Sequence, residues 1–131
     1  MTLHLLFGAA VLVVAASAQA EDWTALETTA DGSLIEIDTA SAARHGDVAS
    51  AWVRTTFTKA DGYIAGERFQ RAVVWYEANC ARRAVAVRRA MLFATATSTL
   101  PISDITDAAP KPQPVAPDSE RLFAALCKAT P

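Results

Sequence analysis

Phe69-Gln-Arg-Ala-Val-Val-Trp-Tyr-Glu-Ala-Asn-Cys80 is the stretch from which the fold is read. In an extended chain successive side chains point to opposite faces. One face of this segment receives Ala72, Val74, Tyr76 and Ala78; the other receives Phe69, Val73 and Trp75, with Arg71 and Glu77 at its ends. Both sides are largely apolar at the centre, which places the segment in the middle of a sheet. The next stretch, Ala81 to Thr97, is open between two readings. Its Ala and Arg content favours helix, whereas Val85, Val87, Arg89, Met91 and Phe93 lie on one side of a strand. Neighbouring strands usually pair, so a hairpin partner to the central strand is expected.

Upstream, Trp23 to Thr28 alternates like a strand, and Ala30-Asp31-Gly32-Ser33 reads as a hairpin turn, because Asp-Gly supplies the positive φ angles tight turns need. Ser33 to Asp38 follows as a second strand, with Ile35 and Ile37 on one face and Leu34, Glu36 and Asp38 on the other. Thr39 to Arg44 reads as a short helical turn ended by His45-Gly46. Val48 to Thr58 is a third strand, rich in Val, Thr and aromatics, and Lys59-Ala-Asp61-Gly62 is another turn.

Downstream, Asp107 to Pro117 holds four of the six prolines. Such a segment cannot be a central strand or a helix interior; it is a stiff, exposed connection. After it, Asp118 or Ser119 is placed to cap a final helix running through Lys128. Leu122, Phe123, Leu126 and Cys127 fall on one face of that helix at 3.6-residue periodicity. The expected architecture is α+β: an antiparallel β-sheet of about five to six strands, a C-terminal helix packed on it, and one disulfide.

The N-terminus points to the compartment. An apolar run from Leu3 to Ala16 ends in Ala18-Gln19-Ala20, followed at once by Glu21-Asp22. The run is shorter than the ~20 residues a bilayer core requires, and small-x-small is the pattern a signal peptidase cuts after. Residues 1–20 are therefore expected to be a cleaved signal peptide, and 21–131 a single domain with no transmembrane segment, located in the periplasm or at the cell surface. The only two cysteines, Cys80 and Cys127, lie in the exported part. In an oxidising compartment an even pair is read first as a disulfide, with two free buried thiols as the alternative. Cys127 points toward the sheet from the helix, where Cys80 ends a strand. Closing that loop removes about 4 kcal/mol of unfolded-chain entropy.

The charge is uneven. Residues 21–61 carry 8 acids and 3 bases, whereas 62–100 carry 2 acids and 6 bases. The overall net charge of −2 is too small to predict a polyanionic partner, and the asymmetry reads as complementary charges on neighbouring strands. The basic element is Arg82-Arg83 with Arg88-Arg89. Strand alternation would give each face two guanidiniums about 20 Å apart. They read mainly as edge charges paired with Glu and Asp. As a binding candidate, the same four arginines would take an anionic glycan, a lipid headgroup or an acidic protein surface. Nucleic acid is not expected, since base-stacking aromatics are not interleaved with these charges.

Catalytic chemistry is poorly supplied. A nucleophilic triad needs a proton-shuttling His, and the chain after residue 20 has only His45, beside a turn glycine. Zinc needs three or four convergent ligands, which one His and two bridged cysteines do not provide. Glu36 and Asp38 share a strand face about 6–7 Å apart, as paired carboxylates would, but read as a solvated face. No phosphate-binding glycine motif is present. No enzyme activity and no cofactor are expected. The three tryptophans, Trp23, Trp52 and Trp75, fall in strands, where packing is the usual role and a carbohydrate- or protein-binding platform is the alternative.

With these elements laid out, the chain resembles the surface-adhesin E-like family of small exported bacterial proteins, from Trp23 to Cys127. The resemblance rests on the Trp opening the first strand, Gly32 followed by Ile37-Asp38-Thr39-Ala40-Ser41, and Trp52 in the next strand. Asn79-Cys80-Ala81-Arg82-Arg83 and Pro117-Asp118-Ser119, closed by Cys127, complete it. It implies an antiparallel sheet with a C-terminal helix held by a Cys80–Cys127 bridge, and adhesion to host proteins through surface loops. The function expected is a non-catalytic binding or structural module of the envelope, with a protein or an anionic glycan as partner. The contrasting reading is a periplasmic accessory subunit or inhibitor that docks a partner protein by its sheet edges.

Overall fold

A computed structural model describes residues 21–60, 62–64 and 66–129; the expected signal segment, 1–20, lies outside the described residues. The strands are β1 (Trp23–Thr28), β2 (Leu34–Asp38), β3 (Ala43–His45), β4 (Val48–Thr56), β5 (Gly62–Ile64) and β6 (Glu67–Phe69). They continue with β7 (Arg71–Asn79), β8 (Ala84–Phe93), β9 (Ser103–Thr106) and β10 (Gln113–Pro114), and the chain closes in helix α1 (Glu120–Ala129). An eight-stranded sheet runs in the order β1-β2-β4-β7-β8-β10, with β3 also on β4 and β9 also on β8. Every pairing is antiparallel. Because β2 and β3 share one edge of β4, and β9 and β10 one edge of β8, the strands fill six lanes of a meander. β5 and β6 form a separate hairpin between β4 and β7.

Of the segment Phe69–Cys80, Arg71–Asn79 forms β7, the central strand flanked by β4 and β8, whereas Phe69 belongs to β6 and packs with Ala72 and Leu92, not on the face of Val73 and Trp75 expected for it. The open question over 81–97 resolves as strand over Ala84–Phe93, where β8 pairs with β7 at every residue but one. Partners on both sides satisfy the β7 backbone, and this outweighs the helical propensity of Ala and Arg. The Asp31-Gly32 turn is as expected, with Gly32 at φ 87° and Asp31 accepting from Thr29 and from the Ser33 amide and hydroxyl. These hydrogen bonds, that from Thr29 first, hold the Asp31 carboxyl below its ordinary range. Gly62 is required for a different reason: a Cβ there would fall inside the van der Waals envelope of the Phe69 ring.

One face of the sheet is covered. Ile37, Ala51, Val53 and Ala78 meet Phe123 and Leu126 of α1 in a buried cluster, with Tyr76, Val85, Leu122 and Cys127 packed around it. Beyond the helix, Phe69 and Phe57 cover Ala72 and Leu92 on the same face. The expected helical stripe is therefore the buried one. Cys80 and Cys127 are joined, closing a loop across a sequence separation of 47 and fixing the end of α1 to the end of β7.

Several expectations need correction. Neither Asp118 nor Ser119 caps the helix by its side chain. The chain enters α1 through a 3₁₀ turn, Pro117–Ser119, whose N-cap is Ala116 with no side-chain hydrogen bond, because Pro at the first position already fixes the backbone and removes one unmet N–H. The helical turn expected over Thr39–Arg44 covers only Thr39–Ser41, and the rest becomes β3 on the free edge of β4. The Ile37–Ser41 motif makes this bend. The Asp38 carboxylate accepts from the Asp22 and Ala40 amides, and the Ser41 hydroxyl donates to the Asp38 carbonyl while accepting from the Trp52 amide. Asp38 is thus buried, and Glu36 is ion-paired with Arg54, so the two do not form a solvated face. Charges on neighbouring strands do pair, but among the described residues the ion pairs of the basic block 62–100 run to the C-terminal block, through Arg89–Asp104 and Arg83–Glu120, and within the block itself, through Arg88–Glu77, with none to the acidic block 21–61.

Candidate functional site: the open face of the sheet

The face opposite α1 is covered by no helix or strand among the described residues. Strand alternation sends Trp23 of β1, Glu36 of β2, Trp52 and Arg54 of β4, and Arg71 and Trp75 of β7 to it. The registers Glu36↔Arg54, Trp52↔Trp75 and Thr56↔Arg71 bring them side by side. All three indoles are half-buried. Trp52 and Trp75 meet edge to face at 5.3 Å, an arrangement favoured by the ring quadrupoles. The Arg54 guanidinium lies 4.3 Å over the Trp23 ring, and that of Arg89 5.9 Å over Trp52. Aromatic rings and guanidiniums thus form a continuous array across four strands.

A β-bulge explains why β8 contributes more to this face than alternation predicts. The β7–β8 register shifts between Trp75 and Tyr76, paired with Arg89 and Val87, so Arg88 is the extra residue. A bulge breaks the alternation, and both Arg88 and Arg89 end on the open face. Arg88 pairs with Glu77, and Arg89 binds Asp104 through two contacts of 2.9 and 2.7 Å. Arg82 and Arg83 stand instead in the β7–β8 turn, Arg83 at φ 52°. Arg83 pairs with Glu120 and lies over Phe123. The four arginines therefore do not converge, and the expectation of two per face fails at the bulge.

Two loops border the open face, each tied by an arginine. Arg88 donates to the Ala108 carbonyl, anchoring the proline segment. Arg71 donates to the carbonyls of Ala96 and Ser98, anchoring the loop after β8, and its guanidinium lies 4.1 Å over Phe93. Burial, and then the like charge of Arg54, hold the Arg71 guanidinium below the ordinary arginine range, with Glu21 acting in the opposite sense. The hydrogen bond from Arg89, ahead of its charge, holds the Asp104 carboxyl low.

Sequence reasoning missed Arg54 and Arg71 as site residues. Parity within each strand aligns Trp52 with Arg54 and Trp75 with Arg71, which is a usable signal. Their convergence depends on register, which no local pattern specifies. Among the described residues no group of three or more His, Cys, Asp and Glu is placed to hold a metal, and no helix is long and apolar enough to cross a membrane. His45 is exposed at the end of β3.

Comparison with known families matches the chain, over residues 23–128, to the family described as surface-adhesin protein E. The match spans the whole sheet, all but the last residue of the helix, and both cysteines, and the chain belongs to that family. No curated protein and no solved structure matches it.

Proposed function

We propose that this member of the surface-adhesin E family is an exported, non-catalytic binding module of the envelope. Residues 1–20 are then removed as a signal peptide, and the protein engages a protein or anionic-glycan component through the open face of its sheet. The observation that carries the reading is the array of three half-buried tryptophans interleaved with Arg54 and Arg89 on that face. Aromatic and arginine side chains dominate the energetics of recognition surfaces. The Cys80–Cys127 bridge supports export, since disulfides persist in oxidising compartments. Of the four candidate arginines, Arg88 and Arg89 border the array, while Arg82 and Arg83 belong to the turn.

Oxidised protein, offered to matrix-coated surfaces and to envelope extract at low and moderate salt, tests the reading. Retention on the surfaces is expected to weaken in an Arg88→Gln, Arg89→Gln variant that still folds. Unchanged retention in that variant removes the open face from the account. A single stoichiometric protein partner from the extract, with no retention on the surfaces, favours the accessory-subunit reading instead. Protease shaving of intact cells separates a surface location from a periplasmic one.

A further inference from the structure

Two guanidiniums, those of Arg54 and Arg71, stand at one end of the open face, and among the described residues only Arg54 is in contact with a carboxylate, that of Glu36. A groove of about 490 Å³ there is lined by Leu34, Glu36, Arg54, Thr56, Thr58 and Arg71, among others. Glu36 takes the Nε and Nη2 of Arg54 at 2.7 and 3.0 Å. That leaves Arg54 Nη1 without a protein partner among the described residues. Arg71 has no carboxylate partner among them: its two Nη groups go to backbone carbonyls, and its Nε is enclosed with no hydrogen bond. Within the groove lining two guanidiniums stand with one carboxylate, and Glu21 acts on Arg71 only through its charge, from outside the lining. A like-charged pair of which only one member contacts a counter-charge costs stability that an incoming anion would offset.

We propose that this groove is an anion subsite that holds the carboxylate or sulfate of an acidic saccharide. The subsite rests on the reading of the chain as a binding module and names the ligand class of its open face. Arg71 supplies a charge with no contacting carboxylate among the described residues, Arg54 Nη1 a free donor, and Thr56 and Thr58 line the groove with hydroxyl-bearing side chains. The polar lining disfavours an apolar occupant. It suits a ligand that carries hydroxyls beside its charge, and the Trp23 ring stacked on Arg54 offers a flat apolar surface next to the charged end. The volume lies within the usual range for small-molecule sites, roughly 300–1,000 Å³.

Titration of the oxidised protein with glucuronate, glucose and acetate, followed by the amide NMR shifts of Gly32, Thr56 and Thr58, tests this. Glucuronate is expected to give saturable shifts at those amides, with glucose and acetate at least about tenfold weaker, each lacking one half of the recognition. Added NaCl is expected to weaken glucuronate binding only modestly, because the charges are partly enclosed. Arg71→Met is expected to weaken glucuronate about tenfold. Since that change also frees the loop after β8, a Thr56→Val, Thr58→Val variant, which leaves Arg71 in place, is the second arm and is expected to lose affinity as well. Lys111→Gln, outside the groove, is expected to bind as the parent does. Absence of saturable shifts, or full affinity in both groove variants, overturns the subsite; acetate binding as tightly as glucuronate overturns the saccharide. Export or cell attachment failing would leave this titration unaffected, and a failed titration would leave export untouched.

Discussion

Replacing Glu36 by Gln keeps the shape of the side chain and removes the one carboxylate that contacts Arg54, which in turn lies beside Arg71 of the next strand. The Glu36 and Arg54 side chains are 13% and 27% exposed, and the pair is bidentate. Fully exposed pairs contribute about 0–1 kcal/mol, whereas removing one partner of a fully buried pair costs about 3–5 kcal/mol. This pair lies between those limits, and the change also leaves two guanidiniums facing each other, so a loss of about 2 kcal/mol is expected. With a urea slope of roughly 1–3 kcal/mol/M for a small domain, the unfolding midpoint should fall by about 1 M. In a double-mutant cycle with Arg71→Met, the two changes should cost less together than their sum, because the second relieves the repulsion the first creates. A loss below about 0.5 kcal/mol, or strict additivity with Arg71→Met, would refute the claim that Glu36 offsets a repulsion between Arg54 and Arg71.

Further outcomes follow from the same structure. Leu126 is 1% exposed in the cluster beneath α1, and Leu126→Ala is expected to cost about 3–4 kcal/mol in urea unfolding; a loss under about 1 kcal/mol would mean the helix is not seated as described. Asp104 has its carboxyl lowered by the hydrogen bond and charge of Arg89. Its contribution is therefore present above the unfolded carboxyl value and lost as pH falls through the lower folded value. NMR titration should place its midpoint below the ordinary range, and Arg89→Gln should return it there; an ordinary midpoint in the parent would contradict the pair. Removing the bridge by Cys80→Ala with Cys127→Ala is expected to cost about 4 kcal/mol for a loop of this length, read as a lower thermal midpoint.

The fold was legible where local chemistry and periodicity agree. The Asp31-Gly32 turn, the doubly apolar Phe69–Cys80 segment and the Leu122–Cys127 stripe each had one good physical solution, and all three are found, save that Phe69 falls in β6 and on the covered face. The cysteines were legible because strand end and helix face placed them together. The open face was legible only in part. Parity within β4 and β7 could be read, but the Trp52↔Trp75 register and the bulge at Arg88 are set by pairing along the whole sheet. That shift turns a dispersed set of arginines into two that share a face and two that remain at a turn. The entry to α1 was misread because Asp and Ser before an apolar stripe are good caps in general, whereas Pro117 begins the 3₁₀ turn before they can act.

The most direct test of an exported module fastened by one covalent tie is the intact mass of protein recovered from the cell envelope, taken after treatment with an alkylating agent and without reductant. The account predicts a chain beginning at Glu21, two protons lighter than its reduced form and carrying no alkyl group. A chain retaining Met1, or one with alkyl groups on Cys80 and Cys127, would contradict it.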